Sequence, residues 1–232
     1  MATYVLIHGA YQGGWIWKPV ATRLRAAGHT VFAPSLDGCA ERSHAVRAGI
    51  TIGTHAREVA QLLVSEDLTD VVLVGTSSGG MVIVKAAELA RDRIARLVFV
   101  DALALMPGER VDAIVKRAAP NETTDITTFP TRADQESRLF RDLDDRTRVW
   151  ALARITPHPV AALEAPMETT TFWDQPWPAA MVIRCRRATN PPEHHQRRTA
   201  ERLKAEYHEL DTGHYPMLSE PEALTRLLLG KS

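Results

Sequence analysis

One six-residue stretch limits what this chain can fold into more than any other: Gly75-Thr76-Ser77-Ser78-Gly79-Gly80. It follows the apolar run Val71–Val74 and precedes an amphipathic segment, Met81–Ala90, so the local pattern predicts strand, sharp turn and helix. In that setting Gly-x-Ser-x-Gly has a mechanical meaning. The glycines let the chain reverse tightly, and the reversal lifts the oxygen of Ser77 above the sheet edge. The letters alone carry little, because with Gly at about 7% of residues roughly one chain in ten of this length holds the pattern by accident. Its position between strand and helix carries the weight. The plainer reading is a glycine turn that cradles an anion at a helix N-terminus. Against a nucleotide site, no Gly-Lys-Ser/Thr follows and the glycine spacing of a dinucleotide loop is missing. Ser78 holds the variable position, so its expected contribution is a backbone N–H.

Around this motif, short β-branched runs alternate with longer amphipathic ones. Strands are expected at Tyr4–His8, Thr30–Ala33, Val71–Val74, Leu97–Asp101, Met181–Cys185 and Tyr207–Leu210, and helices at Trp17–Ala26, Thr54–Val64, Gly79–Ala90, His194–Ala205 and Pro221–Leu229. Thr54 is the expected cap of the second helix. Several strands are apolar throughout, as strands covered on both faces are. The pattern predicts an α/β fold with a mostly parallel, doubly wound sheet in a single domain over residues 1–232. The alternation breaks between about 106 and 178, where Pro, Thr, Arg and Asp dominate. A bare loop of that length is uncommon in a compact domain, so a helical lid inserted between sheet strands is expected there.

Twenty-eight basic residues balance 28 acidic ones, which argues against nucleic acid or an anionic membrane and fits a small neutral ligand. The start, MATYVLIHGA, lacks the layout of a signal peptide, and no run reaches the ~18 apolar residues of a membrane span. Cys39 and Cys185 lie far apart in no metal-ligand spacing. They read as buried thiols in a reducing compartment, and a cytoplasmic protein is expected.

Two further loops complete a site. His8-Gly9-Ala10 ends the first strand, and the backbone N–H groups of Ala10 and Ser78 form the expected pair of donors for an oxyanion. Of nine histidines, His214, in Asp211-Thr212-Gly213-His214-Tyr215-Pro216, follows the last strand and precedes the closing helix. That puts it at the carboxyl edge of the sheet, where ligands gather in open α/β folds, and makes it the candidate base. His194 and His195, at a helix start among charged residues, are expected to be solvated.

With these residues in hand, the sequence resembles the small α/β-hydrolases that include plant methylesterases, hydroxynitrile lyases and bacterial esterases. The matching segments are Val5-Leu6-Ile7-His8-Gly9-Ala10 with Trp15 and Trp17, Glu41-Arg42-Ser43-His44, Val74–Gly80, Val98-Phe99-Val100-Asp101-Ala102, Thr156-Pro157-His158-Pro159, and Gly213 to Leu218. The resemblance spans nearly the whole chain and implies hydrolysis of esters, or of lactones, beneath a lid, with neither cofactor nor metal. Two positions depart from the pattern. Thr76 stands where the family usually has His. No aspartate follows Cys185, where the family usually carries its triad acid, and Ala188 is near the expected place.

Asp101, at the end of the strand after the motif's helix, is the best substitute, as some members of the wider fold place their acid there; Glu193 or no acid at all are the alternatives. The expected catalytic set is therefore Ser77, His214 and Asp101. Gly9, Tyr11, Thr76, Trp150, His158 and Trp173 are candidates for substrate contact. The aromatic residues Phe129, Phe140, Phe172 and Trp177 join Trp150 and Trp173 in suggesting an apolar substrate. A lyase working by proton transfer, and a binding protein on a disabled hydrolase, are the rival functions.

Overall fold

The structure, a computed structural model, describes residues 1–117 and 119–230, so residue 118 of the expected lid lies outside it. In chain order the strands are β1 (Thr3–Ile7), β2 (Thr30–Phe32), β3 (Val71–Ser77), β4 (Ile94–Ala102), β5 (Glu122–Thr123), β6 (Thr127–Phe129), β7 (His158–Pro159), β8 (Ala180–Cys185) and β9 (Glu206–Leu210). Six of them form one sheet in the order β2-β1-β3-β4-β8-β9, and every neighbouring pair is parallel. The helices are α1 (Lys18–Ala26), α2 (Ile52–Ser65), α3 (Gly79–Leu89), α4 (Val111–Ile114), α5 (Arg132–Ser137), α6 (Asp145–Leu152), α7 (Val160–Glu164), α8 (Glu193–Leu203), α9 (Pro216–Ser219) and α10 (Pro221–Leu228).

Strand side chains alternate between faces, and here both faces are apolar. Val5, Ile7, Leu73, Leu97, Phe99 and Val182 pack with Val59 and Leu63 of α2 and Ile83 and Ala86 of α3. Tyr4, Leu6, Val74, Val98, Val100 and Ile183 pack on the other side with Val20 and Leu24 of α1 and Leu224 and Leu228 of α10. Burial on both sides is why these strands read as continuous apolar runs rather than alternating ones.

All six expected sheet strands and all five expected helices are present, with shifted ends. The largest shifts are at β3 and β4. Gly75 stays paired to both β1 and β4, and Thr76 and Ser77 to β4, so β3 carries the ladder through the turn motif to Ser77. At the start of α2 the cap is Thr51, whose Oγ1 accepts the Thr54 N–H at 3.2 Å, not Thr54 itself.

The insertion between β4 and β8 is not purely helical. It holds α4 to α7, but β5, β6 and β7 form a small antiparallel sheet, the first two on Thr-containing segments that suit strands better than helices. Its far end is fastened to α3. Glu88 Oε1 accepts the backbone N–H groups of Thr170, Thr171 and Phe172 at 2.7, 2.7 and 2.9 Å, and Oε2 receives Lys85 Nζ at 2.8 Å.

Candidate active site

Ser77 ends β3 and Gly79 begins α3, so the reversal between them is as tight as the sequence pattern requires. The left-handed backbone falls on Ser77 itself, at φ +51°, and not on the glycines. Such a conformation costs a non-glycine residue about 1–3 kcal/mol and persists only where packing enforces it. The glycines serve close approach instead. A Cβ on Gly79 would stand 2.5 Å from the carbonyl oxygen of His8, and one on Gly80 would stand 2.3 Å from that of Leu103. Only bare backbone lets the start of α3 sit against the ends of β1 and β4.

A second local distortion aims the side chain of Asp101. In the β3–β4 ladder Thr76 lies opposite Val100 but Ser77 lies opposite Ala102, so Asp101 is the extra residue of a bulge, at φ +46°. Bulges re-aim a side chain that a regular strand would leave pointing along the pleat. Asp101, fully buried, reaches across to the loop after β9, and its Oδ2 lies 2.5 Å from His214 Nδ1. Its Oδ1 accepts the Cys185 N–H at 3.0 Å and Gln196 Nε2 at 2.6 Å. A carboxylate facing three N–H groups accepts from all of them, so Nδ1 carries the imidazole proton and the lone pair is left on Nε2. Glu193, the alternative acid, is engaged elsewhere, with Arg197 at 2.7 Å and Arg184 at 3.1 Å.

The loop after β1 approaches Ser77 from the opposite side. A Cβ on Gly9 would stand 2.6 Å from Ser77 Cβ and 3.2 Å from its Oγ. His8 fixes this loop: its Nδ1–H donates to the Gly9 carbonyl at 2.8 Å, and its Nε2 accepts the Leu36 N–H at 3.0 Å. The Gly9 N–H goes to Gln12 Oε1 at 3.2 Å. The N–H groups of Ala10 and Ser78 take no partner among the described residues, which leaves both free to donate beside the serine.

Ser77 and His214 line one cavity of about 440 Å³, with no direct hydrogen bond between them among the described residues. Its wall also includes Leu103, Val115 and Pro191, the arginines Arg138, Arg141 and Arg187, and Asp142. Ala188, where the family's acid is usual, lines it as well. None of the candidate substrate residues Gly9, Tyr11, Thr76, Trp150, His158 and Trp173 belongs to the described lining of this cavity. Thr76 is buried beneath the turn. Tyr11, at φ +66°, is buried, with its hydroxyl receiving Asn121 Nδ2 at 2.7 Å. His158 lies in a buried group with Cys39, 3.5 Å from its Sγ, and with His55. Trp150 packs edge-on against Trp15, and Trp173 donates to the Leu105 carbonyl at 3.1 Å.

His195 corrects an expectation. It is 2% exposed, its Nε2 accepts the Ala104 N–H at 3.1 Å, and burial lowers its pKa to about 4. His194 alone is solvent-facing. Burial likewise takes His8 down to about 4 and pushes the Cys39 thiol up to about 12, so neither titrates near neutrality. Gln196 was not singled out from sequence. Its one signal is its place four residues before Ala200, on the buried face of α8.

A model of the alpha/beta hydrolase family matches residues 4–227. The carbendazim hydrolyzing esterase of Nocardioides sp. (strain SG-4G) is 35% identical over 178 residues, covering 72% of this chain and 73% of that protein. Methylesterase 3 of Arabidopsis thaliana is 27% identical and covers 97% of this chain and 94% of its own length. Among solved structures, an extracellular alpha/beta-hydrolase from a Paenibacillus species superposes with a TM-score of 0.80 at 22% identity, over 100% of this chain and 99% of that one.

Proposed function

Because this chain belongs to the alpha/beta hydrolase family, we propose that it is a serine hydrolase that cleaves a carboxylic ester, or a lactone, of a small molecule through an acyl-enzyme. The observation that carries this reading is the 2.5 Å contact between His214 Nδ1 and Asp101, made at the edge of a cavity that Ser77 shares.

In this reading each residue has one role. Ser77 Oγ attacks the carbonyl carbon, and His214 Nε2 takes its proton as the contact between them closes on a bound substrate. Asp101 holds the imidazole in the tautomer that leaves Nε2 basic and stabilises the imidazolium once formed. The Ala10 and Ser78 N–H groups receive the oxyanion, a contribution of about 3–4 kcal/mol per donor. His214 then protonates the leaving alcohol, and water, activated in the same way, releases the acid. Leu103, Val115 and Pro191 give the carbon chain of the substrate an apolar wall. The two free, buried cysteines accord with a reducing compartment, and we place the protein in the cytoplasm.

Arg187 on the cavity wall favours a second reading, a lyase of the hydroxynitrile type, because a departing cyanide needs a cationic partner. Turnover of a p-nitrophenyl acyl ester decides between the two. The hydrolase reading expects turnover in the wild type that disappears in His214→Ala, and release of cyanide from mandelonitrile without ester turnover selects the lyase.

A further inference from the structure

The chain as a whole carries as many acidic as basic residues, yet the wall of the Ser77 cavity bears Arg138, Arg141 and Arg187 against Asp142 alone. These charges are not used up by one another. Asp142 Oδ2 accepts the Gly213 N–H at 3.1 Å. Arg138 is held by the buried Asp134 through Nε at 2.8 Å and Nη2 at 2.5 Å, which leaves its Nη1 edge unpaired. Arg187 gives Nη2 to the Asp211 carbonyl at 2.6 Å and lies 3.8 Å from that residue's carboxylate through Nε, which again leaves Nη1. Arg141 takes no hydrogen bond or ion pair among the described residues. A neutral ester offers these guanidinium groups a carbonyl acceptor but no opposite charge. A planar carboxylate matches the fork of arginine donors, and a wall with three cationic groups against one anionic one draws an anion towards it.

We propose that this site takes esters that also carry a carboxylate, such as half-esters of dicarboxylic acids, with Arg141 and the open edges of Arg138 and Arg187 receiving the anion while Leu103 and Val115 line its carbon chain. This deepens the ester-hydrolase reading and rests on it. It also replaces the neutral ligand expected from net charge alone: the charge balance is global, whereas recognition is set by the few groups that face the ligand.

The test compares methanol release from monomethyl glutarate and from methyl pentanoate, which differ in the terminal group. In the wild type the half-ester should show a kcat/KM about tenfold higher, an advantage that shrinks as ionic strength approaches about 0.5 M. Arg141→Gln should cut the ratio severalfold, chiefly through KM, and Arg141→Glu should reverse it. As Arg141 has no partner among the described residues, both variants should melt with the wild type. Turnover of methyl pentanoate with no preference for the half-ester, or a ratio indifferent to Arg141→Glu, overturns this inference while leaving the hydrolase reading intact. Failure to turn over either ester counts against the hydrolase reading instead. Calorimetry with glutarate then decides the anion site: binding that Arg141→Glu abolishes supports it, and absence of binding to the wild type overturns it.

Discussion

Replacing Asp101 with Asn changes one atom and leaves the shape, so its effect can be worked out from the hydrogen bonds around it. In the wild type Oδ1 receives the Cys185 and Gln196 N–H groups and Oδ2 faces His214 Nδ1. An asparagine has one acceptor and one donor to put in those places. With its carbonyl toward Cys185 and its NH2 toward His214, it forces Nδ1 to accept, moves the imidazole proton to Nε2 and removes the base. With its carbonyl toward His214, its NH2 faces two donors. Gln196 can turn its amide, since its Oε1 has no partner, but the Cys185 N–H belongs to the backbone and cannot. That unmet donor costs about 1–3 kcal/mol, so the unproductive orientation is preferred by roughly 5–150-fold. Loss of the negative charge beside the imidazolium adds to this, and together the effects should lower kcat by about 10⁴ with a near-native melting temperature. The assay is hydrolysis of a p-nitrophenyl acyl ester at pH 7, run beside a thermal melt. A folded Asp101→Asn enzyme that keeps a tenth or more of wild-type kcat would refute the role of Asp101.

Gly9→Ala places a methyl group 2.6 Å from Ser77 Cβ and 3.2 Å from its Oγ, so either the serine or the loop bearing the Ala10 N–H must move; a fall in kcat of at least about 100-fold, the scale of one lost oxyanion donor, is expected, and unchanged kinetics would show that the loop is not poised over the serine. Acid stability carries the mark of the buried histidines. For His8 and His195, whose pKa burial lowers from 6.5 to about 4, the unfolded chain binds protons that the folded one refuses, so stability is full above about pH 6.5 and declines as pH falls toward 4. Each histidine adds a slope of about 1.4 kcal/mol per pH unit within that window. Urea midpoints at pH 7, 6 and 5 should fall in sequence, and a midpoint constant across the series would contradict the assigned burial.

What the sequence made legible and what it hid divide along physical lines. The six sheet strands and the helices between them were readable because two-sided burial writes continuous apolar runs into a sequence. The place of Ser77 at a strand-to-helix turn was readable because so tight a reversal demands Gly79, and the place of His214 because it follows the last strand. Thr51 escaped because either threonine could have capped α2. The small sheet β5-β6-β7 escaped because its strands are two or three residues long, too short for any period to show. His195 looked solvated among charged neighbours, yet α8 turns it inward beside Gln196. The bulge that aims Asp101 depends on register between two strands, and the arginine wall joins Arg138 and Arg141, from an insertion without periodic pattern, to Arg187 from the loop after β8; neither is a property of local sequence.

The central claim is that Ser77 is an activated nucleophile, and covalent labelling tests it most directly. A fluorophosphonate probe reacts with a serine whose proton a neighbouring base can remove, so incubation followed by peptide mass spectrometry should place one adduct on Ser77 in the wild type. The adduct should be absent in Ser77→Ala and strongly slowed in His214→Ala. Equal labelling of the wild type and Ser77→Ala, or an adduct on another residue, would contradict the account.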